Sequence, residues 1–181
     1  MEIQTVKNIT NRANGKYFED LISDALDYYY EKGYASIEKT PEPMKPLKNC
    51  GDGTFLAIYT KKAQPDYKGV LYGGECIIFE AKYTDTDRIR QQAVTDTQAE
   101  IFERYQLMNA QCYVMVCMQG TEFFRVPWNI WKGMKKIFGH KYMTQKDRDY
   151  EEKSVNKIFY DCLLYTSRIP AYDCWNRKQE D

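Results

Sequence analysis

The most constraining feature of the sequence is the run CIIFEAKY at residues 76–83. Side chains on a β-strand alternate between two faces, so Glu80 and Lys82 share one face with Ile78, while Phe79 and Ala81 point the other way. Both faces are otherwise apolar, which is typical of a strand in the middle of a sheet. A buried charge is very costly unless it is paired. The run therefore predicts a central strand in which an acid and an amine have a specific use.

The segments before this run predict a helix, a strand and an arm. The stretch NRANGKYFEDLISDALDYYYEKG carries an apolar stripe with helical spacing, and Gly33 is placed to end the helix. A short strand, YASIEKT, follows. Prolines at 41, 43 and 46 then remove backbone donors, so we expect the chain to leave the core as an arm over about residues 41–65.

The remaining segments predict further strands and helices. Gly73 and Gly74 suit a hairpin turn between GVLY and the central run. DTQAEIFERYQLMNA predicts a helix capped by Thr95 or Asp96, with Met108 among its inward residues. QCYVMVCM and TEFFRV predict two strands, and a short helix follows Pro127. This order predicts a single α/β domain with a mixed sheet, a core over about residues 11–138 and a C-terminal extension over residues 139–181.

Composition narrows the classes of function. Lysine and arginine balance aspartate and glutamate at 26 each, so net charge does not indicate a polyanionic partner. A local basic stretch between Arg125 and Arg148 is either a solvated face or a flank that binds duplex DNA. The single histidine, His140, argues against a histidine-based metal site and a Ser-His-Asp triad.

The cysteines bear on the cell compartment, and the apolar runs bear on membrane association. Six cysteines without a CxxC pair indicate reduced thiols in a cytoplasmic protein. No stretch reaches the roughly 18 consecutive apolar residues of a membrane span, so we expect no membrane association.

The hairpin turn places a second acid near Glu80. Asp66 stands at the start of the preceding strand, and a turn at Gly73 and Gly74 would bring it beside Glu80. Two adjacent carboxylates repel each other unless a cation lies between them, and hard oxygen ligands suit Mg²⁺, with Mn²⁺ as a substitute. Lys82 on the same face would position the nucleophile or stabilise the charge that develops on a phosphoryl group. The pattern predicts a site of phosphodiester hydrolysis.

The alternative is an ordinary Glu–Lys ion pair at a strand end, because the E-x-K spacing alone is weak. The sequence contains another instance, Glu151-Glu152-Lys153, in a charged stretch. Spacing by itself leaves both interpretations open.

A wider set of motifs resembles a known family. The segments PDYKG and EAK resemble the PD-(D/E)xK nuclease motif. Together with NGKYFEDLI, EKTPEP and DTQAEIF, they resemble the RecU-type Holliday-junction resolvases of Gram-positive bacteria and their phages, over about residues 11–130. The resemblance implies a restriction-endonuclease-like core with a projecting stalk. It also implies a Mg²⁺-dependent endonuclease that acts as a homodimer on four-way DNA junctions.

The same resemblance implies roles for particular residues. Asp66 and Glu80 would be the metal-binding carboxylates and Lys82 the catalytic lysine. Glu19 would complete the shell of the ion, and Gln98 would belong to the catalytic set. Without the resemblance, Glu19 is equally a solvent-facing helix residue, and Gln98 is a polar residue of a first helical turn.

The arm corresponds to the stalk of that family, which projects into the centre of a junction. Tyr59 would stack on bases, or it packs under the arm as ordinary core. Phosphate contacts are expected from the arm lysines, Lys45, Lys48, Lys61 and Lys62.

Two other functions fit the same residues. One is a restriction- or repair-type nuclease that acts on linear duplex DNA. The other is a non-catalytic, DNA-binding regulator of recombination on the same scaffold, although the presence of Asp66, Glu80 and Lys82 together favours catalysis. Dimerisation is expected because a two-fold junction suits a two-fold enzyme.

Overall fold

The structure, a computed structural model, describes residues 2–60, 64–149 and 156–157. Lys61 and Lys62, and most of the C-terminal extension, lie outside the described residues. The elements in chain order are α1 (Glu2–Glu31), β1 (Ala35–Lys39), β2 (Met44–Gly51), β3 (Thr54–Tyr59), β4 (Tyr67–Leu71), β5 (Cys76–Thr84), β6 (Arg88–Arg90), a 3₁₀ turn (Gln91–Ala93), α2 (Asp96–Leu107), β7 (Gln111–Met118), β8 (Glu122–Pro127), α3 (Trp128–Ile137), β9 (Tyr142–Thr144), a second 3₁₀ turn (Gln145–Asp149) and β10 (Asn156–Lys157).

The main sheet has six strands in the order β1-β4-β5-β7-β8-β10. Strands β5 and β7 are parallel, with Glu80 opposite Val114, and all the other neighbours in this sheet are antiparallel. A parallel pair needs a crossover, which here contains α2. The predicted α/β fold with a mixed sheet is confirmed, and the CIIFEAKY run lies in a central strand as predicted.

Helices cover both faces of the sheet. On one face, α1 contributes Phe18, Ile22, Leu26 and Tyr29 to a buried cluster that contains Phe79 of β5. The other face carries a second cluster, in which α2 and α3 pack against the opposite side chains of β5, β7 and β8. The alternation along β5 is what divides the core into these two layers.

The predicted apolar stripe of α1 is confirmed, whereas the prediction for one inward residue of α2 is wrong. Met108 was expected to face the core, yet it is 73% exposed. The reason is that α2 ends at Leu107 and the chain turns at Asn109, whose φ is 62°. Gly33, with φ of 68°, ends α1 in the left-handed conformation that glycine adopts without strain.

The arm is a separate hairpin of β2 and β3, which form their own two-stranded sheet. All its strand residues are exposed except Ala57, which is half-buried. Pro46 lies within β2 at a register shift, since proline has no N–H to give to the ladder. The expectation of an arm that leaves the core is confirmed as a hairpin, over a shorter span than residues 41–65.

A second small sheet joins β6 to β9, and we call it the β6–β9 ribbon. Its inward side chains, Ile89 and Met143, are buried in the cluster of α2 and α3. Because residues 85–93 are rich in Asp, Arg and Gln, the sequence predicts only a polar connection there, and β6 was not expected. No helix in the described part of the chain is long and apolar enough to cross a membrane.

Candidate active site

The register of the β4–β5 hairpin brings Asp66 and Glu80 together. Tyr67 pairs with Phe79, so the preceding residue, Asp66, falls opposite Glu80. The Asp66 N–H donates to Glu80 Oε2 at 3.1 Å, and the Ala81 N–H donates to Asp66 Oδ2 at 3.0 Å. Each carboxylate is therefore fixed by a backbone amide of the opposing segment. We call this arrangement the carboxylate pair.

The strand beside the hairpin is held close to the site. A Cβ on Gly69 would lie 2.1 Å from the Ser36 carbonyl oxygen, so glycine is required where β1 passes β4. At the end of β1, the Thr40 N–H donates to the Asp66 carbonyl at 2.7 Å. This bond anchors the chain next to the carboxylate pair just before the arm begins.

Lys82 lies on the same face as Glu80, as the alternation predicts. Its Nζ donates to Glu80 Oε1 at 2.5 Å. Glu80 is 1% exposed, whereas the Lys82 side chain retains 26% of its accessible surface. An ion pair between Glu80 and Lys82 is thus present. It does not account for the second carboxylate, the half-buried Asp66, which leaves the group with two acids and one amine.

Burial disfavours the charged forms of both acids. Burial, reinforced by the charge of Asp66, raises the pKa of Glu80 to about 7, and the Lys82 ammonium opposes the shift. Burial also raises the pKa of Asp66, while the bond from the Ala81 N–H acts in the opposite direction. Such a site is stabilised by an additional cation, because a cation favours both carboxylates in their ionised forms.

The donor set fits a hard divalent ion. Mg²⁺ is commonly held by one or two carboxylates, with water and substrate phosphate oxygens in the other positions. Asp66 and Glu80 supply oxygen donors of this kind. Within residues 2–60 and 64–149, no three His, Cys, Asp or Glu side chains are grouped closely enough to hold one ion. The carboxylate pair would therefore be the protein's contribution to such a site.

Glu19 lies on α1 near the site but has a different partner. Its carboxylate accepts a hydrogen bond from Lys39 Nζ at the end of β1. Its charge contributes to the raised pKa of Asp66, which places it within electrostatic range of the carboxylate pair. The structure does not join Glu19 to that pair by a direct bond, so its role in an ion's shell stays a prediction.

Gln98 combines a cap with a contact to the site. It is 3% exposed, and its Oε1 accepts bonds from the Thr95 N–H at 3.0 Å and from Thr95 Oγ1 at 3.1 Å. The Gln98 N–H in turn donates to Thr95 Oγ1 at 3.3 Å, completing a capping box. A hydrogen bond from the Gln98 side chain also lowers the pKa of Glu80 against the stronger effect of burial. Gln98 is therefore a capping residue and a neighbour of Glu80, and its membership of the catalytic set stays a prediction.

The arm residues are exposed where the structure describes them. Lys45 and Lys48 lie on β2 with exposed side chains. Tyr59 is 69% exposed, and its hydroxyl bonds with Glu42, which raises the pKa of Tyr59. The alternative that Tyr59 packs under the arm is wrong, because most of Tyr59 is exposed.

Sequence reasoning missed two residues that support the site, Lys39 and Thr40, and it named Thr95 only as a possible helix cap. Lys39 is the last residue of β1 and Thr40 follows it, so their position at a strand end is the signal that could have found them. Thr40 Oγ1 is buried and has no hydrogen-bond partner among the described residues.

Comparison with models of protein families identifies the family of the chain. The model of the family described as RecU, Recombination protein U, matches residues 13–169. The chain belongs to the RecU family. Every candidate residue at the carboxylate pair and around it, from Glu19 to Gln98, lies inside the matched segment.

Several RecU proteins are similar over part of their length. Holliday junction resolvase RecU of Streptococcus pneumoniae (strain Hungary19A-6) is 32% identical over 116 residues, which cover 61% of this chain and 57% of that protein. The RecU of Streptococcus gordonii (strain Challis) is 39% identical over 75 residues, covering 39% of this chain and 37% of that one. The match to the pneumococcal protein thus spans little more than half of its length.

Among solved structures, Hjc, a Holliday junction resolvase from Archaeoglobus fulgidus, is similar with a TM-score of 0.38 and 15% sequence identity. The superposition covers 64% of this chain and 78% of that one.

Proposed function

We propose that this RecU-family chain is a Mg²⁺-dependent endonuclease that cuts branched DNA, with the four-way junction as its preferred substrate. The reaction is hydrolysis of a phosphodiester by water. The observation that carries the proposal is the carboxylate pair of Asp66 and Glu80, with Lys82 on the same face. The RecU relatives, which are named as Holliday junction resolvases, support the choice of substrate.

Asp66 and Glu80 would hold the ion through their carboxylates. When bound, Mg²⁺ polarises a phosphoryl oxygen and lowers the pKa of a coordinated water, and Mn²⁺ is expected to substitute for it. The backbone amides of Asp66 and Ala81 keep the two acids facing each other before any ligand arrives. This preorganisation limits the cost of ordering the ligands.

Lys82 has a separate role in the proposal. Its ammonium bonds to Glu80 and is partly exposed, so it can also reach a phosphate at the face of the site. A positive charge there stabilises the negative charge that develops on the phosphoryl oxygens. The Gln98 side chain donates a hydrogen bond to Glu80, and its Oε1 is held by Thr95.

The remaining parts of the proposal concern the whole assembly. The chain forms a single nuclease domain, its arm is the stalk that enters the junction, and residues 139–181 form an extension of that domain. Exposed Tyr59, Lys45 and Lys48 would contact DNA, with Lys61 and Lys62 continuing the basic stretch in sequence. Two copies of the chain would act on a junction as a homodimer, since the substrate has two-fold symmetry.

Substitution of Asp66 tests the site. Asp66→Asn removes one charged ligand with little change of shape, so cleavage of a synthetic four-way junction in Mg²⁺ should fall by at least about 100-fold, since losing even a supporting residue of a metal site costs about 10–100-fold. Junction binding in EDTA should be largely retained. Asp24→Asn, an exposed residue on α1, is the matched control and should cut normally.

Cleavage of different DNA substrates distinguishes this proposal from the two alternative functions. Wild-type protein is incubated with four-way junction, linear duplex and single strand, each with Mg²⁺ or EDTA. Cutting of the junction supports the proposal, whereas preferential cutting of linear duplex indicates a restriction- or repair-type nuclease. Binding without cutting indicates a non-catalytic regulator. Normal cutting by Asp66→Asn would show that the carboxylate pair is not the site.

A further inference from the structure

The β6–β9 ribbon lies at the end of the strand that carries the candidate site. Thr84, the last residue of β5, has the same side-chain alternation as Glu80 and Lys82. Its Oγ1 donates to the Arg88 carbonyl at 3.2 Å, which ties the start of the ribbon to β5. Duplex DNA that is held at the carboxylate pair and extends along β5 would therefore reach the ribbon next.

Two adjacent cations on this ribbon lack acidic partners. Arg90 pairs with Tyr142 across the ribbon, and the Gln91 N–H donates to the Lys141 carbonyl at 2.9 Å, so Arg90 and Lys141 are neighbours. Both side chains are exposed. Of the carboxylates that the structure describes, none lies within 4.0 Å of either cation.

Two other cations near the ribbon and the cavity do form ion pairs. Arg88 forms an ion pair with Asp87 at 3.3 Å, and Lys132 forms one with Glu103 at 3.0 Å. An ordinary solvated face is expected to look like these pairs, with both signs interspersed. Arg90 and Lys141 are thus positive charges that are available to an external anion.

A cavity of about 650 Å³ adjoins the two cations. Arg90, Lys141 and Tyr142 line it from the ribbon side, and Gln92 adds an amide. The acids in its wall are Asp96 and Glu103, of which Glu103 is already bonded to Lys132 and to the Trp128 indole. The ribbon side of the cavity is therefore its positive side. The Tyr142 ring is itself covered by the Arg88 guanidinium at 5.6 Å.

We propose that Arg90 and Lys141 bind the sugar–phosphate backbone of a duplex arm that leaves the cut site. Exposed cations without acidic partners, which border this cavity, match a phosphodiester backbone, whose binding is driven by release of counterions. Such contacts set the position of a duplex and do not read its sequence. This inference rests on the proposed nuclease function and adds a second DNA-binding surface to the arm.

The test compares charge removal on the ribbon with charge removal elsewhere. The double variant Arg90→Gln/Lys141→Gln keeps long polar side chains and removes two positive charges. The control Lys16→Gln/Lys32→Gln removes the same charge from α1 and from the residue that follows it, on the other face of the sheet. Binding of fluorescent four-way junction and of linear duplex is measured by anisotropy in EDTA, over a range of salt concentrations, and thermal melting of each variant verifies folding.

The ribbon variant should bind both DNAs more weakly, and the loss should depend on salt. Each lost phosphate contact lowers the slope of log affinity against log salt by about 0.9, which is up to about eightfold in affinity at about 0.1 M salt. The ratio of junction to duplex affinity should not change, because both DNAs contain duplex arms. Arg90→Lys, which keeps the charge, should restore most of the Arg90 contribution.

Equal affinity and equal salt slope for the ribbon variant and the wild type would overturn the inference. So would the same loss in the α1 control, because the effect would then come from net charge alone. Failure of the proposed function would be seen separately, as wild-type protein that binds junction in EDTA but does not cut it in Mg²⁺. If the ribbon variant melts well below the wild type, Arg90→Lys/Lys141→Arg decides whether charge at these positions is required.

Discussion

At the residue scale, the main feature is an electrostatic conflict that the backbone maintains. Asp66 and Glu80 would separate if they were free to do so, yet each accepts a main-chain N–H from the opposing segment. Lys82 offsets one of the two charges. The site is therefore held ready for a cation at a cost in stability, as is common where function sets the geometry.

The cost predicts how stability depends on pH. Burial raises the pKa of Glu80 from an ordinary 4.5 to about 7. Because the folded-state pKa is raised, the stabilising contribution is fully present below the unfolded value and is lost as pH rises through the folded value. In metal-free wild type, the free energy of unfolding should therefore fall by about 2–3 kcal/mol between about pH 4.5 and 7.

Glu80→Gln removes the titrating group, so this part of the decline should disappear in the variant. Urea unfolding in EDTA at about pH 5 and about pH 8, on either side of the raised pKa, measures the difference. The control is Glu100→Gln, an exposed residue of α2, which should follow the wild type. Identical pH profiles for Glu80→Gln and wild type would contradict the assignment of the cost to Glu80.

At the element scale, the β4–β5 hairpin builds the site and β1 supports it. Hairpin register fixes which residues face each other, and a slip of one position would move Glu80 to the opposite face of the sheet. β1 pairs with β4 along its whole length, with Ile37 opposite Gly69. Its last residues lead to Thr40, which bonds to the Asp66 carbonyl. The hairpin and β1 therefore act as one unit.

Gly69→Ala is predicted to weaken this unit. The new Cβ would lie 2.1 Å from the Ser36 carbonyl oxygen and 2.5 Å from Ile37 Cα, which are backbone atoms that cannot rotate away. We expect a loss of about 3 kcal/mol in the free energy of unfolding, at the upper end of the range for overpacking.

Gly15→Ala is the matched control, because nothing lies within 4 Å of a Cβ at this helical position. There, alanine should raise stability by about 0.5–1 kcal/mol through helix propensity. Urea unfolding of both variants measures the contrast. A neutral Gly69→Ala would mean that β1 is not held against β4 as described.

The elements differ in how far the sequence predicted them. The helical stripe of α1 and the two faces of β5 follow from local periodicity, so Phe18, Ile22 and Glu80 could be placed correctly. The β6–β9 ribbon could not, because each strand has three residues and buries only one, Ile89 or Met143. Such a segment has no period to detect. The parallel pairing of β5 with β7 could not be predicted from the local sequence pattern either, since it joins residues on either side of α2.

The candidate site, too, could be predicted where local sequence sets it and not where tertiary packing does. Asp66 and Glu80 could be brought together because a two-glycine turn fixes a local hairpin. The partner of Glu19 could not be anticipated, since Lys39 comes to it from a different element through the packing of α1 on the sheet. Side-chain partners set by tertiary packing leave little trace in a single sequence.

At the scale of the whole molecule, the core and the arm are structurally separate. The main sheet and its helices form the buried clusters, while β2 and β3 pair only with each other among the described residues. A hairpin that buries so little contributes little to the stability of the core. Its exposed apolar side chains, Phe55, Leu56, Ile58 and Tyr59 among them, then suit contact with something outside this chain.

Removal of the arm should therefore change the choice of substrate and leave the stability of the core almost unchanged. Replacing residues 45–62 with a short Gly-Ser linker should leave the melting temperature almost unchanged. The ratio of junction cleavage to linear-duplex cleavage should fall by about tenfold or more, since the loss of base stacking alone accounts for about 1–3 kcal/mol per base.

Tyr59→Ala serves as a milder companion to the deletion, and Tyr72→Ala as its control, because Tyr72 is 72% exposed at the β4–β5 turn of the core. Cleavage of the two DNAs by each variant is measured in parallel. Unchanged selectivity in the deletion variant would refute the role of the arm as a stalk.

The separation along the chain between the two acids has a consequence for how the protein acquires its fold. Asp66 and Glu80 are 14 positions apart, whereas Ile77 meets Gln111 only after the chain has passed through a helix. Closing a short loop costs less entropy than closing a long one. The hairpin that joins the two acids can therefore close while later strands are still emerging from the ribosome, so the candidate site is assembled before the central sheet is complete.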